Sequence, residues 1–426
     1  MNTSLLERRH RLLGKAAPLF YDQPLHIVRG QGVFLYDADG REYLDAYNNV
    51  PVVGHCHPTV VQALAAQAAQ LNVHTRYLHE NVVDYAERLT ATFDASLAMA
   101  VFTCTGSEAN DVALRMARTL SGREGIICSS STYHGNTAAV DELSTTFTGG
   151  RTGSARVRAV PFPESYRPLR GLGGPALLDA YVAEVEEAIR SFEAQGLGLA
   201  GMLVCPIFAN EGLPEVPAGY LERVARLVRQ AGGYLIFDEV QAGFGRTGRM
   251  WGHQCAGVVP DIVTLGKPMG NGHPIGGVVA RADIVDAFRE RVMYFNTFGG
   301  NPVSCAAGLA VLQVLQEEQL LANAQEVGPY VARGLRELRA THAVIGDVRA
   351  RGMFWSVELV ADRNTREPAP AAAKAVLNAM KDRGVLISRL GPFDNVLKMR
   401  PPLPFSRGHA DRLLETLDRC LADLHV

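Results

Sequence analysis

No apolar run of this chain reaches membrane-spanning length, no cysteines are spaced in pairs, and neither sign of charge is in surplus. Each absence removes a class of function. A transmembrane helix needs about 20 consecutive apolar residues, and none are found. With 42 basic and 44 acidic side chains, nothing draws the chain to nucleic acid or an acidic membrane surface. The seven cysteines, Cys56, Cys104, Cys128, Cys205, Cys255, Cys305 and Cys420, stand singly. An odd count without CxxC reads as a reduced, cytoplasmic protein. The N-terminus has no apolar h-region, so no signal peptide is expected. Gly54-His-Cys-His-Pro58 places two histidines and a cysteine together, but nothing elsewhere completes a zinc spacing. It reads as a structural turn, and no metal is expected.

What is present is long enough for two or three domains and a large core, at 426 residues. Residues 32–45 alternate around Asp37-Ala-Asp-Gly40 and predict a β-hairpin. A helix is expected over about 59–71. Strand–helix units follow: strand 100–105, helix 107–120, strand 125–129, helix 177–195, strand 201–207 and helix 218–230. Ala109, Val112, Ala113, Met116, Ala117 and Leu120 share one helical face. The Gly-, Pro- and Arg-rich stretch 148–174 reads as loop. This alternation predicts a parallel sheet covered on both faces. After Pro302 come a long helix to about 318, a charged helical stretch, strands at 354–360 and 385–388, and a last helix from 408. That end reads as a smaller α+β domain.

Two strings are decoys. Gly243-Phe-Gly-Arg-Thr-Gly248 matches GxGxxG and follows a strand, but Arg249-Met-Trp-Gly-His-Gln after it is not an amphipathic helix. Leu235-Ile-Phe-Asp-Glu239 has the form of an ATPase acid strand, yet GxxxxGK[ST] occurs nowhere. Nucleotide binding is disfavoured on both counts.

Asp238 and Lys267 are the informative pair. Each ends a short apolar run that reads as a buried parallel strand. Open α/β sheets bind ligands at the carboxyl ends of strands. An amine and an acid delivered there suit pyridoxal phosphate: the lysine as Schiff-base partner, the acid opposite the pyridinium nitrogen. Thr105-Gly-Ser-Glu-Ala-Asn-Asp111 lies where a strand becomes a helix. Such a start offers free N–H groups and a favourable dipole to a phosphate. The plain alternative is a capping box, with Ser107 as cap and Asn110 three residues on. Tyr133-His-Gly135 puts an aromatic ring at the same sheet edge, where it can stack on a flat heterocycle.

Together these strings resemble the class III, fold-type-I, pyridoxal-phosphate-dependent aminotransferases. With Gly54–Pro58, Phe237–Gly248, Leu265–Pro274 and Thr297–Pro302, the resemblance runs nearly end to end. It implies an α/β fold with a mostly parallel central sheet in a large domain, and a small α+β domain built from both chain ends. The division expected is 1–58 and 311–426 for the small domain and 59–310 for the large one. By the resemblance, Lys267 is the Schiff-base lysine and proton shuttle, and Asp238 keeps the ring nitrogen protonated. Val240 and Tyr133 sandwich the ring, with His134 beside them. Gln241 meets the phenolic oxygen, and Gly106 and Ser107 hold the phosphate. Thr297 reaches the phosphate of the neighbouring subunit in a homodimer with shared sites.

The activity implied is transfer of an amino group from an amino acid or ω-amine to a small keto acid such as pyruvate. The alternative comes from the nearest subgroup, the ethanolamine-phosphate and phosphohydroxylysine phospho-lyases. Tyr47–His57, Thr75–His79 and Gly266–Pro274 resemble that subgroup. The chain also departs from the family: Cys205-Pro-Ile-Phe-Ala-Asn-Glu211 replaces an acid and an amide with Cys205 and Phe208. Arg400, before Pro401-Pro402, suits a carboxylate substrate through a bidentate fork, and Lys398 is its rival for that place.

Overall fold

Apolar runs of four to six residues between turns are too short for helices, and here they become strands. The computed structural model describes residues 4–424. The first strands are β1 (Ile27–Gln31), β2 (Phe34–Asp37) and β3 (Glu42–Asp45). Then follow β4 (Met99–Thr103), β5 (Gly125–Ser129), β6 (Val157–Val160), β7 (Leu199–Val204), β8 (Tyr234–Asp238), β9 (Ile262–Leu265) and β10 (Gly276–Ala280). The C-terminal part adds β11 (Ile345–Arg351), β12 (Phe354–Asp362), β13 (Glu367–Pro368), β14 (Val385–Leu386), β15 (Ser388–Leu390) and β16 (Val396–Met399).

Strands β4 to β10 form the central sheet in the order β4-β10-β9-β8-β7-β5-β6. Pairs β9–β8, β8–β7, β7–β5 and β5–β6 are parallel, and β10 runs against both neighbours. The sheet is therefore mostly parallel with one reversed strand. Successive side chains sort to opposite faces. Ile126, Leu203 and Ile236 pack under the helices Gly106–Ser121 and Ala282–Arg291. Ile127, Met202, Leu235 and Phe237 pack under Gly174–Ala194 and Tyr220–Gln230. Each such side chain, when fully buried, contributes roughly 1.5–3 kcal/mol by removal from water. A sheet buried on both faces holds its strand ends in fixed register, and those ends carry the site.

A smaller domain completes the fold. Its sheet runs β11-β12-β16-β15. A second sheet joins the two chain ends, because β14 lies parallel to β3 with Val385 opposite Leu44. The hairpin expected over 32–45 is β2–β3.

Several expectations are corrected. The stretch 148–174 is not all loop: β6 lies inside it as the sheet's edge, half-hidden from sequence by its arginine. The single strand expected at 385–388 breaks at Ile387, and its halves join different sheets. β10, β11 and β16 were not foreseen, since glycine and charge interrupt their apolar patterns. The helix after β4 is capped by Thr105, not Ser107. The Thr105 hydroxyl accepts from Glu108 N at 3.1 Å, and Glu108 Oε2 returns to Cys104 N at 2.6 Å.

Candidate active site

The carboxyl ends of β4, β5, β7, β8 and β9 converge on one cavity of about 240 Å³. Gly106, Ser107, Tyr133, Asp238, Val240 and Lys267 line it, together with His134 and Gln241. So eight of the ten residues expected from sequence meet here. Arg400 lines an adjoining cavity of about 700 Å³, which Tyr133, Gln241 and Lys267 share. Thr297 is exposed and lines neither.

Asp238 is buried at the last position of β8. Its Oδ2 accepts from His134 Nδ1 at 2.7 Å and Asn110 Nδ2 at 3.1 Å, and Oδ1 from Val240 N at 3.0 Å. Burial pushes the carboxyl pKa up. The His134 bond and charge, Lys267 and the Val240 N–H outweigh it, so the net shift is downward. Asp238 is a buried anion held ready for a cation. Asn110 had no assigned role in the sequence reading. It also donates to His134 O at 2.7 Å and accepts from Thr264 Oγ1 at 2.6 Å, locking helix, strand and loop together. Its signal was there: Asn110 sits one turn beyond Gly106 on the same helical face.

Lys267 lies two residues past β9, on a loop anchored by Asn271, which accepts from Val53 N at 3.0 Å and donates to Gly54 O at 2.8 Å. Protein crowds its amine although part of its surface stays accessible. Burial, then the Arg400 charge, lower its pKa to about 8 against the pull of Asp238. An amine so tuned is available as a base near neutrality.

Whether pyridoxal phosphate fits can be judged from the backbone. Gly135 has φ +143, and a Cβ there would meet Ser107 Oγ at 2.5 Å. A Cβ at Gly266 would come within 3.0 Å of Gly106 Cα. The two glycines let a helix start, a strand end and a loop close around one small space. That space has helical N–H groups at one end, a buried anion at the other and an amine between. These are the groups that an anionic ester, a ring nitrogen and an aldehyde require. The residues fit the cofactor.

The larger cavity has a different character. Lys398, on β16, and Arg400, just after it, are both buried. Lys398 Nζ donates to Gln241 Oε1 at 3.1 Å, and Arg400 donates to the same oxygen. Lys398 and Arg400 thus converge on one acceptor. Gln241 Nε2 donates to Asn210 Oδ1 at 2.9 Å, and Asn210 Nδ2 to Tyr133 O at 2.9 Å. Asn210 is another contributor the sequence reading did not assign. Arg389 also lines this cavity and pairs with Asp394. Among the described residues, neither Lys398 nor Arg400 forms an ion pair with a carboxylate. Cys205 stands at the wall of the smaller cavity, whereas Phe208 turns into the core beside Tyr220. The segment expected to lack an acid toward the substrate-side arginine supplies none.

The decoys have structural roles. His55 Nε2 meets Asp45 Oδ2 at 2.7 Å, and His57 Nε2 meets Glu318 Oε1 at 2.8 Å. The stretch 243–248 is turn and only a four-residue helix follows, His253–Ala256. Its buried Arg246 donates to Met353 O at 3.1 Å and to Pro401 O, fixing the backbone beside Arg400.

Comparison with known proteins decides the family. The class-III aminotransferase model matches residues 19–421. The chain belongs to the class III aminotransferases. This class III enzyme is 42% identical to the alanine–glyoxylate aminotransferase 2-like protein of Drosophila melanogaster, over 98% of this chain and 87% of that one. It is 38% identical to ethanolamine-phosphate phospho-lyase homolog 1 of Caenorhabditis elegans, over 98% and 93%. Among solved structures, a phospholyase from Arthrobacter in complex with phosphoethanolamine superposes with TM-score 0.95 at 49% identity, covering 99% and 100%. A PLP-bound amine transaminase from an uncultivated Pseudomonas species superposes with TM-score 0.86 at 32% identity, covering 94% and 95%. Class III aminotransferases are pyridoxal-phosphate enzymes, and that is the cofactor of this one.

Proposed function

We propose that this class III aminotransferase acts on a small O-phosphorylated amino alcohol such as phosphoethanolamine and eliminates its phosphate. The observation that carries this reading is the pair Lys398 and Arg400, buried at one cavity wall without a carboxylate partner. Burial makes the charge of Arg400, and any charge on Lys398, costly until an anion joins them. A phosphate dianion offers more charge and more acceptor oxygens than a carboxylate. The likeness to the Arthrobacter phospholyase supports the choice.

In this reading Gly106 and Ser107 hold the cofactor phosphate, Asp238 with His134 faces its ring nitrogen, and Val240 and Tyr133 flank the ring. Bound there, pyridoxal phosphate supplies an electron sink that acidifies the substrate carbon bearing nitrogen. Lys267, as free amine, takes the proton from that carbon. Lys398 and Arg400 hold the leaving phosphate on the next carbon and neutralise the charge it gains as its C–O bond breaks. With one water taken up, phosphoethanolamine yields acetaldehyde, ammonia and phosphate. A second reading, amine transfer to a small keto acid such as pyruvate, is supported by Arg400, whose fork also suits a carboxylate.

We also propose a homodimer in which Thr297 completes the partner's site. Exposed Met293 and Phe298, within four residues of Thr297 in the chain, support it, because large apolar side chains at a surface mark interfaces. A small domain made from both chain ends, as in the expected division at 58 and 310, is supported by the β3–β14 pairing, though the helix Pro302–Glu317 runs through 310. Among the described residues no helix is long and apolar enough to cross a membrane; a cytoplasmic location remains our proposal from the singly placed cysteines. The deciding experiment is a phosphate-release assay on phosphoethanolamine beside a panel of amino donors with pyruvate. Phosphate and acetaldehyde formed far faster than any amine transfer support elimination. The reverse result assigns the enzyme to transfer.

A further inference from the structure

One wall of the larger cavity is the hairpin between β15 and β16. Arg389, Leu390, Gly391, Pro392 and Asp394 line the cavity from it, and β16 then carries Lys398 into the same space. The hairpin holds itself by few bonds. Asp394 pairs with Arg389, and its N–H donates to Gly391 O at 3.1 Å. Asn395 anchors the returning strand: its Nδ2 donates to Leu359 O at 2.7 Å, and its carbonyl accepts from Leu359 N at 2.9 Å. Phe393, at the tip, is 47% exposed, so it is held from one side.

That side is supplied by Arg167, from the domain that carries the central sheet. Arg167 follows β6 on a firmly seated segment. Tyr181 Oη donates to Glu164 O at 3.1 Å, and Ser165 N donates to Glu215 O at 3.1 Å. The Arg167 guanidinium donates to Glu358 of β12 and to Arg366 O at 2.6 Å. Its Cζ stands 5.3 Å from the centre of the Phe393 ring. A guanidinium can serve both partners, because it bonds in its plane and stacks by its face. Glu358 is 2% exposed and also accepts from Arg349 of β11. A carboxylate buried between two cations is a fixed point, since loosening one partner leaves buried charge uncompensated. Glu358 also lies opposite Val396, the first residue of β16. Arg349 already gives Glu358 a counter-charge inside the small-domain sheet. What Arg167 adds is a link from the central-sheet domain to the tip of the cavity wall.

We propose that Arg167 is a positioning residue of the substrate site: it holds the hairpin 391–395 in place and so fixes the wall beside Lys398 and Arg400. This role rests on the larger cavity being where substrate binds, and it is the same for elimination and for transfer. Arg167 touches no reacting atom and acts through Phe393 and Glu358. With the wall fixed, the hairpin need not be ordered when substrate arrives. With the wall released, ordering it weakens binding and spares the chemical step.

Two measurements on the holoenzyme test this. Hydrogen exchange without substrate reads the wall, whatever the reaction is. Steady-state kinetics, with whichever amine the holoenzyme turns over, read its use. Arg167→Met keeps the stem and removes the bonds and the flat face. Peptides covering 388–396 should exchange at least about fivefold faster, while those holding Asp238 and Lys267 exchange as in wild type. KM should rise at least about threefold, with kcat within about twofold of wild type. Arg167→Lys keeps a charge opposite Glu358 but not the flat face over Phe393, and should show both changes in smaller measure. Wild-type exchange in the hairpin overturns the proposal. Faster exchange with a wild-type KM also overturns it, leaving Arg167 a clasp between domains. A fall in kcat as large as the rise in KM overturns it too, because the chemical step would then be what changed. If Arg167→Met does not fold, Arg167→Lys decides by the same readings: both moved supports the role, and either at the wild-type value overturns it.

Discussion

The two ends of the site are built on opposite electrical plans. At the cofactor end, a buried anion is fully partnered: Asp238 accepts from His134, Asn110 and Val240. At the end proposed to meet the substrate, Lys398 and Arg400 share one neutral acceptor, Gln241 Oε1, and Arg400 also donates to Tyr47 O at 3.2 Å. The first end suits a resident that never leaves. Its polar groups are preorganised and lose little on binding. The second end suits a visitor, because its cations gain most when an anion arrives and lose that gain when it departs. Gln241 stands at the boundary, joined to cations on one side and through Asn210 to Tyr133 on the other.

Breaking the residue common to both ends has the largest expected effect. Lys267→Ala should lower turnover by about 10²–10⁴-fold, the usual range for a positioned proton-transfer group. Steady-state rates with cofactor in excess measure it. Borohydride reduction of the wild type should attach the cofactor to the peptide holding Lys267, and attachment elsewhere rejects the assignment.

Breaking only the cofactor end should cost less. Asp238→Asn removes a charge-assisted bond worth about 1.5–3 kcal/mol, so turnover should fall roughly tenfold to a hundredfold. Cofactor should still bind through the Gly106–Ser107 helix start. A wild-type rate would show that another group faces the ring nitrogen.

Breaking the substrate end should leave cofactor binding untouched. Arg400→Ala should raise KM for phosphoethanolamine about tenfold or more, the loss of a charged hydrogen bond. Cofactor affinity, read by equilibrium dialysis, should not move. If KM rises instead only for keto acids, the second reading gains.

Smaller effects sharpen the contrast through pH. Burial, then the charges of Arg400 and Lys267, push Lys398 well below the ordinary lysine value. A phosphate dianion arriving beside it should raise that value again. Binding of inorganic phosphate should therefore make the protein take up protons at pH values between the lowered and the restored value, visible in calorimetry across buffers of different ionisation enthalpy. Absence of uptake would show that Lys398 is already charged when the pocket is open. In cofactor-free protein, the Lys267 amine should react with an acylating reagent in proportion to its neutral form. Labelling of its peptide should rise with pH through about 8 and fall below it; a midpoint near 10.5 would contradict the burial argument.

Much of this was legible in the residues. Short apolar runs ending in Asp238 and just before Lys267 mark a strand-end site locally, because burial on both faces leaves few places for a charge. The glycine–serine helix start was equally plain. By contrast, β10 and β16 were hidden: Gly276-Gly277 dilutes one pattern, and Lys398 interrupts the other. β6 escaped for the same reason, with Arg158 in a four-residue edge strand. Asn210 and Glu211 carry no local signature, since their meaning comes from distant partners, as in the Gln241–Asn210 bond across 31 positions.

The sequence by itself determined the local chemistry: which strand ends carry an acid and an amine, where a helix begins under a glycine, and that no paired cysteines or charge surplus direct the chain elsewhere. These follow from periodicity and turn residues, which act over a few positions. Tertiary structure alone decided that Lys398 and Arg400 face the same oxygen of Gln241, 157 and 159 positions away. It also decided that Glu211 lies buried with its carboxyl against the Ser129 hydroxyl. Long-range packing sets which charges share a low-dielectric space, and no local pattern records that distance.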